Sequence, residues 1–316
     1  MAKLSPQDAR TAFRQTVDAL AVPVVAAPMF IVSTPPLVKA EREAGILASF
    51  PALNARPQSA LSDWIDEIEA APGAPFAVNQ IVHGSNDRLM DDLHTMVSRK
   101  VPYCITSLGA RPEVFEAVHA YGGMCFHDVI NDRFARKAVQ KGADGLILVA
   151  AGAGGHAGTL SPFALLAEVR AWFDGPVLLS GSISTGAGVL AARAMGADAA
   201  YVGSALIATH EANASEAYKQ GVVDGAADDI VYTNYFSGVH GNYYKPSIRA
   251  SGLDPDALPV ADLTKMDFKS AGESSAKVWK DIWGMGQGIG SVKSVESVAD
   301  VVNRLAGEYR AARQLL

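Results

Sequence analysis

Eight short apolar runs alternate with helical segments over the first two thirds of this chain of 316 residues. The runs lie at residues 22–29, 46–50, 75–80, 102–107, 123–129, 144–151, 176–180 and 199–204. Each run is continuously apolar, which is typical of strands that are buried on both faces of a sheet. Segments with helical periodicity separate them, at residues 36–44, 59–70, 86–99, 112–120, 131–141, 162–172 and 186–195. Because helices separate the strands, the sheet is predicted to be parallel.

The number and the even spacing of these units predict an α/β fold of the TIM (β/α)8 barrel type. A doubly wound open sheet would show the same alternation, and periodicity alone does not distinguish the two. The rhythm ends after Ser204, where residues 205–284 contain a tyrosine-rich segment followed by a polar stretch. We therefore expect a barrel formed by residues 1–206 and 285–316, with residues 207–284 inserted as a smaller substrate or cap subdomain.

The composition is that of a compact globular protein, with 49% apolar and 19% charged residues. A net charge of −6 argues against nucleic acid or an anionic membrane as the main partner. Two cysteines, Cys104 and Cys125, are too few for a disulfide scaffold or a cysteine-rich zinc module. The uncharged stretch from Gly145 to Ala167 contains a Gly-rich loop and a proline, which do not suit a membrane span. The first residues, MAKLSPQDAR, lack the apolar region of a secretory signal, so we expect a cytoplasmic protein.

Two loops rich in glycine and serine follow the seventh and eighth runs, at residues 181–186 and 203–205. Both are predicted to open helices, where free backbone N–H groups and the helix dipole favour an anion. The loops after the seventh and eighth strands are also the usual phosphate site of TIM barrels. We therefore predict a phosphate site there, although the same glycines would also serve tight turns.

The sequence GAGGHAG (residues 152–158) directly follows the sixth run. It matches a loose dinucleotide fingerprint, but it lies outside the first βα unit and does not lead directly into a helix. A loop whose backbone approaches a flat ligand is the better interpretation. His156 is the one titratable side chain between residues 145 and 167, and its place at a strand end predicts a catalytic or substrate-binding role.

Other side chains at strand ends are more ambiguous. His127 and Asp128 follow the fifth run, and they either join His156 at the barrel mouth or cap the next helix. Metal chemistry is disfavoured because the first strand ends in Pro28-Met29 rather than in a histidine pair. Schiff-base chemistry is disfavoured because no strand ends in a lysine.

The cysteines lie within strands and are expected to be inert core residues. The aromatic segment 232–244, with His240 and Asn242, suits either the packing of a small subdomain or the wall of a ligand pocket.

Five short motifs lie at the ends of predicted strands, and a sixth lies near the C-terminus. They are APM at residues 27–29, VNQ at 78–80, AGGHAG at 153–158, SGSI at 180–183, GSAL at 203–206 and GQGIG at 286–290. Together they resemble the nitronate monooxygenase family, once called 2-nitropropane dioxygenases, over almost the whole chain. The AGGHAG loop is the most specific of them. The chain departs from the commoner AGGI and GTRF of many relatives, but a serine hydroxyl can still donate to phosphate.

The resemblance implies an FMN-binding TIM barrel with His156 as the active-site histidine. It implies cofactor contacts from Pro28 and Met29 over the ring, Asn79 and Thr106 at its polar edge or ribityl chain, Gly155 at the ring, Gly181, Ser182, Gly203 and Ser204 at the phosphate, and Gln287 and Gly288 closing the site. The residues we expect to contact substrate are His127, Tyr235, His240 and Asn242.

The activity implied by the resemblance is the oxidation of alkyl nitronates with O2 to a carbonyl compound and nitrite. The same fold and loop also serve NAD(P)H-dependent reductases of enoyl thioesters or quinones, and this alternative stays open. A flavin-storing barrel without turnover is a third reading, which the intact His156 disfavours. A small-molecule substrate and O2 are the expected partners, no metal is expected, and a homodimer is left open.

Overall fold

The computed structural model describes residues 3–260 and 281–315. One parallel sheet contains eight strands, namely β1 (Val24–Ala26), β2 (Ala48–Pro51), β3 (Phe76–Ile81), β4 (Tyr103–Ser107), β5 (Met124–Val129), β6 (Gly145–Val149), β8 (Val177–Ser180) and β9 (Ala199–Val202), whereas β7 (Gly155–His156) lies outside it. The strand order is β1-β9-β8-β6-β5-β4-β3-β2, and a parallel bridge between Val25 and Leu47 joins β1 to β2. The sheet therefore closes on itself. This confirms the predicted TIM barrel and excludes the open doubly wound sheet.

Helices surround the barrel. They are α1 (Pro6–Asp18), α2 (Pro35–Glu43), α3 (Ala60–Ala70), α4 (Leu89–Ser98), α5 (Pro112–Ala120), α6 (Asp132–Lys141), α7 (Pro162–Arg170), α8 (Gly186–Ala194), α9 (Ser204–Ile207), α10 (Glu216–Asp224), α11 (Lys245–Ala250) and α12 (Val298–Arg313). Helices α2 to α8 connect successive barrel strands, and α12 packs against α8 and α2 to complete the outer layer. Within the two described ranges, no helix combines the length and the apolar character needed to cross a bilayer.

The alternation of side chains along each strand divides the core into two layers. Inward side chains such as Ile105, Phe126 and Ile147 fill the barrel interior. The cysteines Cys104 and Cys125 point outward and pack, fully buried, between the sheet and the helices. The same alternation decides which polar side chains at the strand ends reach the interior of the barrel.

Helix α1 closes the amino-terminal end of the barrel, and the apolar runs did not indicate it. The Ser5 hydroxyl caps this helix by accepting from the Asp8 N–H at 3.2 Å. The ring of Phe13 enters the barrel interior, with its centroid 4.8 Å from that of Phe126. Arg10 anchors the helix to the buried Asp198 at 2.9 Å. With this end closed, the carboxyl ends of the strands remain as the accessible mouth.

A second, antiparallel sheet lies at that mouth. It consists of β10 (Ile230–Thr233), β11 (Gly241–Tyr244) and β7, in the order β10-β11-β7. Strand β7 belongs to the GAGGHAG loop, so this small sheet joins the loop to the segment expected as a cap. Residues 261–280 of that expected segment lie outside the described residues.

Candidate active site

A cavity of about 1550 Å³ opens at the carboxyl ends of the barrel strands. Sites for one small ligand typically measure roughly 300–1,000 Å³, so this cavity has room for a cofactor and a second molecule. Its walls come from the loops after the barrel strands and from β7 and β10 of the small sheet. This is the end of the barrel at which TIM-barrel enzymes carry their chemistry.

The structure brings most of the predicted site residues to this cavity. It is lined by Pro28, Met29, Asn79, His127, Gly155, His156, Gly181, Ser182, Gly203, Ser204, Tyr235, His240 and Gly288. Three others, Thr106, Asn242 and Gln287, are not among its lining residues. Each of these three forms a hydrogen bond with a residue of the cavity wall and therefore lies behind it.

A chain of hydrogen bonds crosses three neighbouring strands on the inner face of the barrel. The Asn79 Nδ2 donates to Ser107 Oγ at 2.8 Å, and the Ser107 hydroxyl donates to Asp128 Oδ2 at 2.5 Å. Among the described residues, the buried Asp128 Oδ1 and the buried Tyr201 hydroxyl have no hydrogen-bond partner. Burial raises the pKa of Asp128 to about 7, although the Ser107 hydrogen bond opposes this rise. Since buried polar atoms are normally paired, these two atoms indicate a ligand-binding position.

The residue before Ser107 has a different environment from the one we expected. Thr106 lies on the opposite face of β4, where its Oγ1 is 2.6 Å from Nδ1 of His127. The His127 ring packs edge-on against Phe115 of α5, with 6.4 Å between the centroids. Burial lowers the pKa of His127 to about 4, so its imidazole is neutral near pH 7. Strand β4 therefore presents Ser107 to the cavity. Thr106 does not line the cavity but contacts His127, which does.

Close approach between loops explains the glycines beside the cavity. A Cβ on Gly152 would lie 2.1 Å from Ser182 Oγ, and one on Gly154 would lie 3.1 Å from Ser204 Oγ. The Ser204 hydroxyl also accepts from the Gly286 N–H at 2.9 Å. The loops after β8 and β9 therefore meet the Gly-rich loop after β6, with Ser182 beside Gly152 and Ser204 beside Gly154, and Ser204 also contacts the carboxyl-terminal segment.

Only the first part of the predicted phosphate loop at residues 181–186 lines the cavity. The Gly186 N–H at the start of α8 donates to Glu308 Oε2 at 2.6 Å, and the Gly188 N–H donates to Thr185 Oγ1 at 3.1 Å. These donors are already used, and the cavity lining of this loop ends at Ser184. Ser182 has a φ of 59°, a left-handed conformation that is rare for serine and is found at binding sites.

His156 is held by the small sheet rather than standing alone on a loop. It pairs with Gly241 of β11, and its Nε2 lies 2.8 Å from Ser237 Oγ. Burial lowers the pKa of His156 to about 4, so the imidazole is neutral near pH 7. The preceding Gly155 has a φ of +67°, and a Cβ there would meet no atom within 4 Å. The backbone in front of the imidazole is thus open to the cavity.

The aromatic segment both packs and lines the cavity. Tyr243 and Tyr244 are buried, whereas Tyr232 stacks on His240 with 5.1 Å between ring centroids and both line the cavity. Behind this wall, Asn242 Nδ2 donates to the Ala153 carbonyl at 2.7 Å.

Gln287 contributes through its backbone, since its N–H donates to the Gly152 carbonyl at 2.9 Å. Asn242 and Gln287 thereby fix the Gly-rich loop that carries His156.

One group of possible metal ligands lies on the outer face of the sheet. Ligand atoms of His119, Cys125 and Asp144 are within 4.8 Å of one another. Asp144 Oδ2 accepts from the Cys125 backbone N–H at 2.8 Å and lies 2.7 Å from His119 Nε2. Asp198 holds the Val177 backbone N–H in the same way, at 2.9 Å. Each aspartate therefore holds the start of the strand beside its own, Asp144 that of β5 and Asp198 that of β8, and neither lines the cavity.

Known proteins resemble this chain along most of its length. The family model described as nitronate monooxygenase matches residues 13–308. The chain belongs to the nitronate monooxygenase family. The protein is therefore a flavin-dependent oxidoreductase, and membership implies a small-molecule substrate and O2.

Individual relatives agree with this assignment. A nitronate monooxygenase from Paraburkholderia phytofirmans is 26% identical over 282 residues, which cover 74% of this chain and 76% of the relative. A probable nitronate monooxygenase from Bacillus subtilis is 26% identical over 269 residues, which cover 80% and 76% respectively. Both names support the oxidation of nitro compounds by this family.

Two solved structures match nearly the whole chain. The nitroalkane oxidase from Streptomyces ansochromogenes superimposes with a TM-score of 0.80 at 26% identity, covering 95% of this chain and 99% of that one. FabK from Thermotoga maritima gives a TM-score of 0.80 at 23% identity, covering 97% and 98%, and shows the shared fold. Together with the family match, the nitroalkane oxidase structure supports a flavin-dependent oxidation of nitro compounds.

The residues present fit a flavin. The cavity exceeds the volume of a single small-ligand site, and its open backbone at Gly155 would let a flat ring approach closely. The serine hydroxyls of Ser182 and Ser204 supply donors for a phosphate. The unpartnered atoms of Asp128 and Tyr201 supply hydrogen-bonding groups of the kind that a polar ring edge requires.

Proposed function

We propose that the protein binds FMN and oxidises alkyl nitronates with O2, yielding a carbonyl compound and nitrite. The observation that carries this proposal is the neutral imidazole of His156 beside the open backbone of Gly155, in a cavity with room for two ligands. When bound there, FMN would accept electrons from the substrate and deliver them to O2. The remaining steps depend on side chains of the chain itself.

The cofactor would be held at three places. Gly181, Ser182, Gly203 and Ser204 would bind the phosphate, because their loops meet beside the cavity. Pro28, Met29, Asn79 and Gly155 would contact the ring system, and Gly288 would close the site with Gln287 behind it. Thr106 would act indirectly, by holding His127 through the 2.6 Å contact between their side chains. One phosphate site of this kind favours FMN over a dinucleotide flavin.

His156 would act on the substrate as a neutral base. Because burial lowers its pKa, the His156 imidazole is neutral near pH 7 and keeps a lone pair that can accept a proton. Nitroalkanes lose their α-proton only slowly at that pH without a catalyst. It would remove the α-proton of a neutral nitroalkane, so that the nitronate forms beside the cofactor. A neutral imidazole is less suited to holding a preformed nitronate anion, which would require the protonated ring.

The small sheet would shape the substrate end of the cavity. In this proposal residues 1–206 and 285–316 form the FMN-binding barrel, and residues 207–284 form the substrate subdomain. Tyr235, His240 and His127 would contact the substrate from the cavity wall. Asn242 would position that wall through its hydrogen bond to Ala153.

The volume of the cavity favours one competing function. A space of about 1550 Å³ exceeds what FMN and a small nitronate fill, and it would accept a larger substrate. An NAD(P)H-dependent reductase of an enoyl thioester or a quinone would use such space. Both functions share the flavin site and differ in the molecule that supplies electrons.

Anaerobic mixing of the purified protein with each electron donor tests the proposal. We expect a yellow protein that releases FMN on denaturation, and whose flavin absorbance bleaches on mixing with an alkyl nitronate but not with NADH. In air, the same nitronate should consume O2 and release nitrite. Rapid bleaching by NADH with none by nitronate would establish the reductase instead, and release of FAD would contradict the single phosphate site.

A further inference from the structure

Two unpartnered polar atoms at the floor of the cavity remain without a role in the proposed chemistry. Asp128 Oδ1 and the Tyr201 hydroxyl are buried, belong to residues that line the cavity, and have no hydrogen-bond partner among the described residues. Both side chains point inward from barrel strands, Asp128 from β5 and Tyr201 from β9. They lie close enough for the Asp128 charge to raise the pKa of Tyr201, in addition to the larger effect of burial.

We propose that Asp128 binds the flavin as a neutral carboxylic acid, donating a hydrogen bond from Oδ1 to an acceptor atom of the ring system, with Tyr201 as a second contact. This inference rests on the proposed flavin site and assigns to it a residue that takes up a proton when the cofactor binds. The flavin ring carries carbonyl oxygens and unprotonated nitrogens, which accept hydrogen bonds and repel a carboxylate. An acid facing them is therefore favoured in its protonated form.

Asp128 has no direct cationic partner among the described residues, although Arg111, Lys137 and Lys141 line the same cavity. No cationic side chain within the described ranges forms a hydrogen bond or an ion pair with it. Its neighbours on the flanking strands are the uncharged Ser107 and Ile147. Across the interior, the titratable group that interacts with it is Tyr201, a phenol that is also neutral.

The Asn79–Ser107–Asp128 chain fixes the orientation of the carboxyl group. Ser107 donates to Oδ2, so Oδ1 is the oxygen directed to an additional partner. A buried acid that remains protonated near pH 7 and donates a hydrogen bond to a ligand is an established arrangement in enzymes. The pKa of Asp128, raised to about 7 by burial before any cofactor is bound, is consistent with this state.

The test is the pH dependence of FMN affinity, measured by fluorescence quenching when FMN is added back to flavin-stripped protein. For the wild type we expect Kd to rise between about pH 7 and about pH 9, approaching tenfold per pH unit, because one proton must be taken up for each FMN bound. In Asp128→Asn the slope should vanish, since the amide donates a hydrogen bond without titrating. Tyr201→Phe should weaken binding by about 2- to 10-fold at every pH and keep the slope.

Asp92→Asn is the matched control. Like Asp128, Asp92 has one buried, unpartnered carboxylate oxygen and a pKa raised by burial, but it pairs with Arg88 and does not line the cavity. This variant should keep the wild-type slope, and the titrations of FMN itself are common to all the proteins. Wild-type binding without a slope, or an unchanged slope in Asp128→Asn, would overturn this inference alone. A wild-type protein that binds no flavin would overturn the proposed function as well.

Discussion

The Nε2 atom of His156 lies 2.8 Å from the hydroxyl oxygen of Ser237, a residue 81 positions further along the chain. The Ser237 hydroxyl donates to the Val239 carbonyl at 3.1 Å, so its oxygen is left to accept from the imidazole. We therefore assign the proton of the neutral ring to Nε2 and the lone pair to Nδ1. On this assignment, a residue of the loop between β10 and β11 sets which nitrogen of His156 carries the proton.

Replacing His156 with asparagine should separate proton removal from later chemistry. Asparagine keeps a polar side chain of similar size, so folding and flavin content should barely change. Turnover of a neutral nitroalkane should fall by about 10²-fold or more, the usual scale for losing a positioned base. With preformed nitronate the loss should be much smaller, because that proton is already gone. An equal loss with both substrates would show instead that His156 binds the anion.

Ser237→Ala should weaken the same step without removing the base. The imidazole would lose the acceptor that orients its proton, and turnover of neutral nitroalkane should fall by about 10- to 100-fold. Preformed nitronate should be oxidised almost normally. Ser251→Ala, which removes a hydroxyl bonded to the Ile248 carbonyl outside the cavity wall, is the control and should leave both activities unchanged. Loss of flavin from Ser237→Ala would indicate a structural role for this hydroxyl.

The pH profile should report the lowered pKa of His156. Burial brings this pKa to about 4, so the imidazole is neutral above that value and becomes protonated only below it. The value of kcat/KM for a neutral nitroalkane should therefore stay level well below the ordinary histidine pKa of about 6.5 and fall as the pH approaches about 4. This acidic limb should disappear from the residual activity of His156→Asn. A limb near pH 7 that vanishes in Asp128→Asn would belong to Asp128 instead.

The barrel could be predicted from sequence because its signal is local. Each βα unit repeats within about 25 residues, and burial on both faces leaves a continuous apolar run. The choice between Thr106 and Ser107 depends on the alternation along one strand, and following that alternation from the apolar Ile105 would have identified Ser107. No local signal joins His156 to Ser237, because their contact depends on how a distant segment pairs with β7. Closure of the barrel likewise depends on the bridge between its first and second strands.

Glutamate at both Ser182 and Ser204 should empty the flavin site while the barrel still folds. Both residues line the cavity, and their loops meet around Gly152 and Gly154. Two carboxylates would face the phosphate, so charge repulsion and the loss of hydroxyl donors would act together. Flavin absorbance of the purified variant and its circular dichroism measure the two outcomes. Undiminished flavin content would show that the phosphate is bound elsewhere.

A single methyl group at Gly155 tests whether the flavin ring approaches this backbone. Gly155 and Gly252 both have a positive φ, +67° and +85°, and a Cβ on either would meet no protein atom within 4 Å. Alanine at either position should therefore cost about 1–2 kcal/mol of folding free energy through the backbone alone. Only Gly155 lines the cavity, so only Gly155→Ala should place its methyl group where the ring would lie. We expect similar decreases in Tm for the two apoproteins but a loss of FMN affinity in Gly155→Ala alone, measured by fluorescence titration. Equal FMN affinity in both variants would mean that the ring does not contact Gly155.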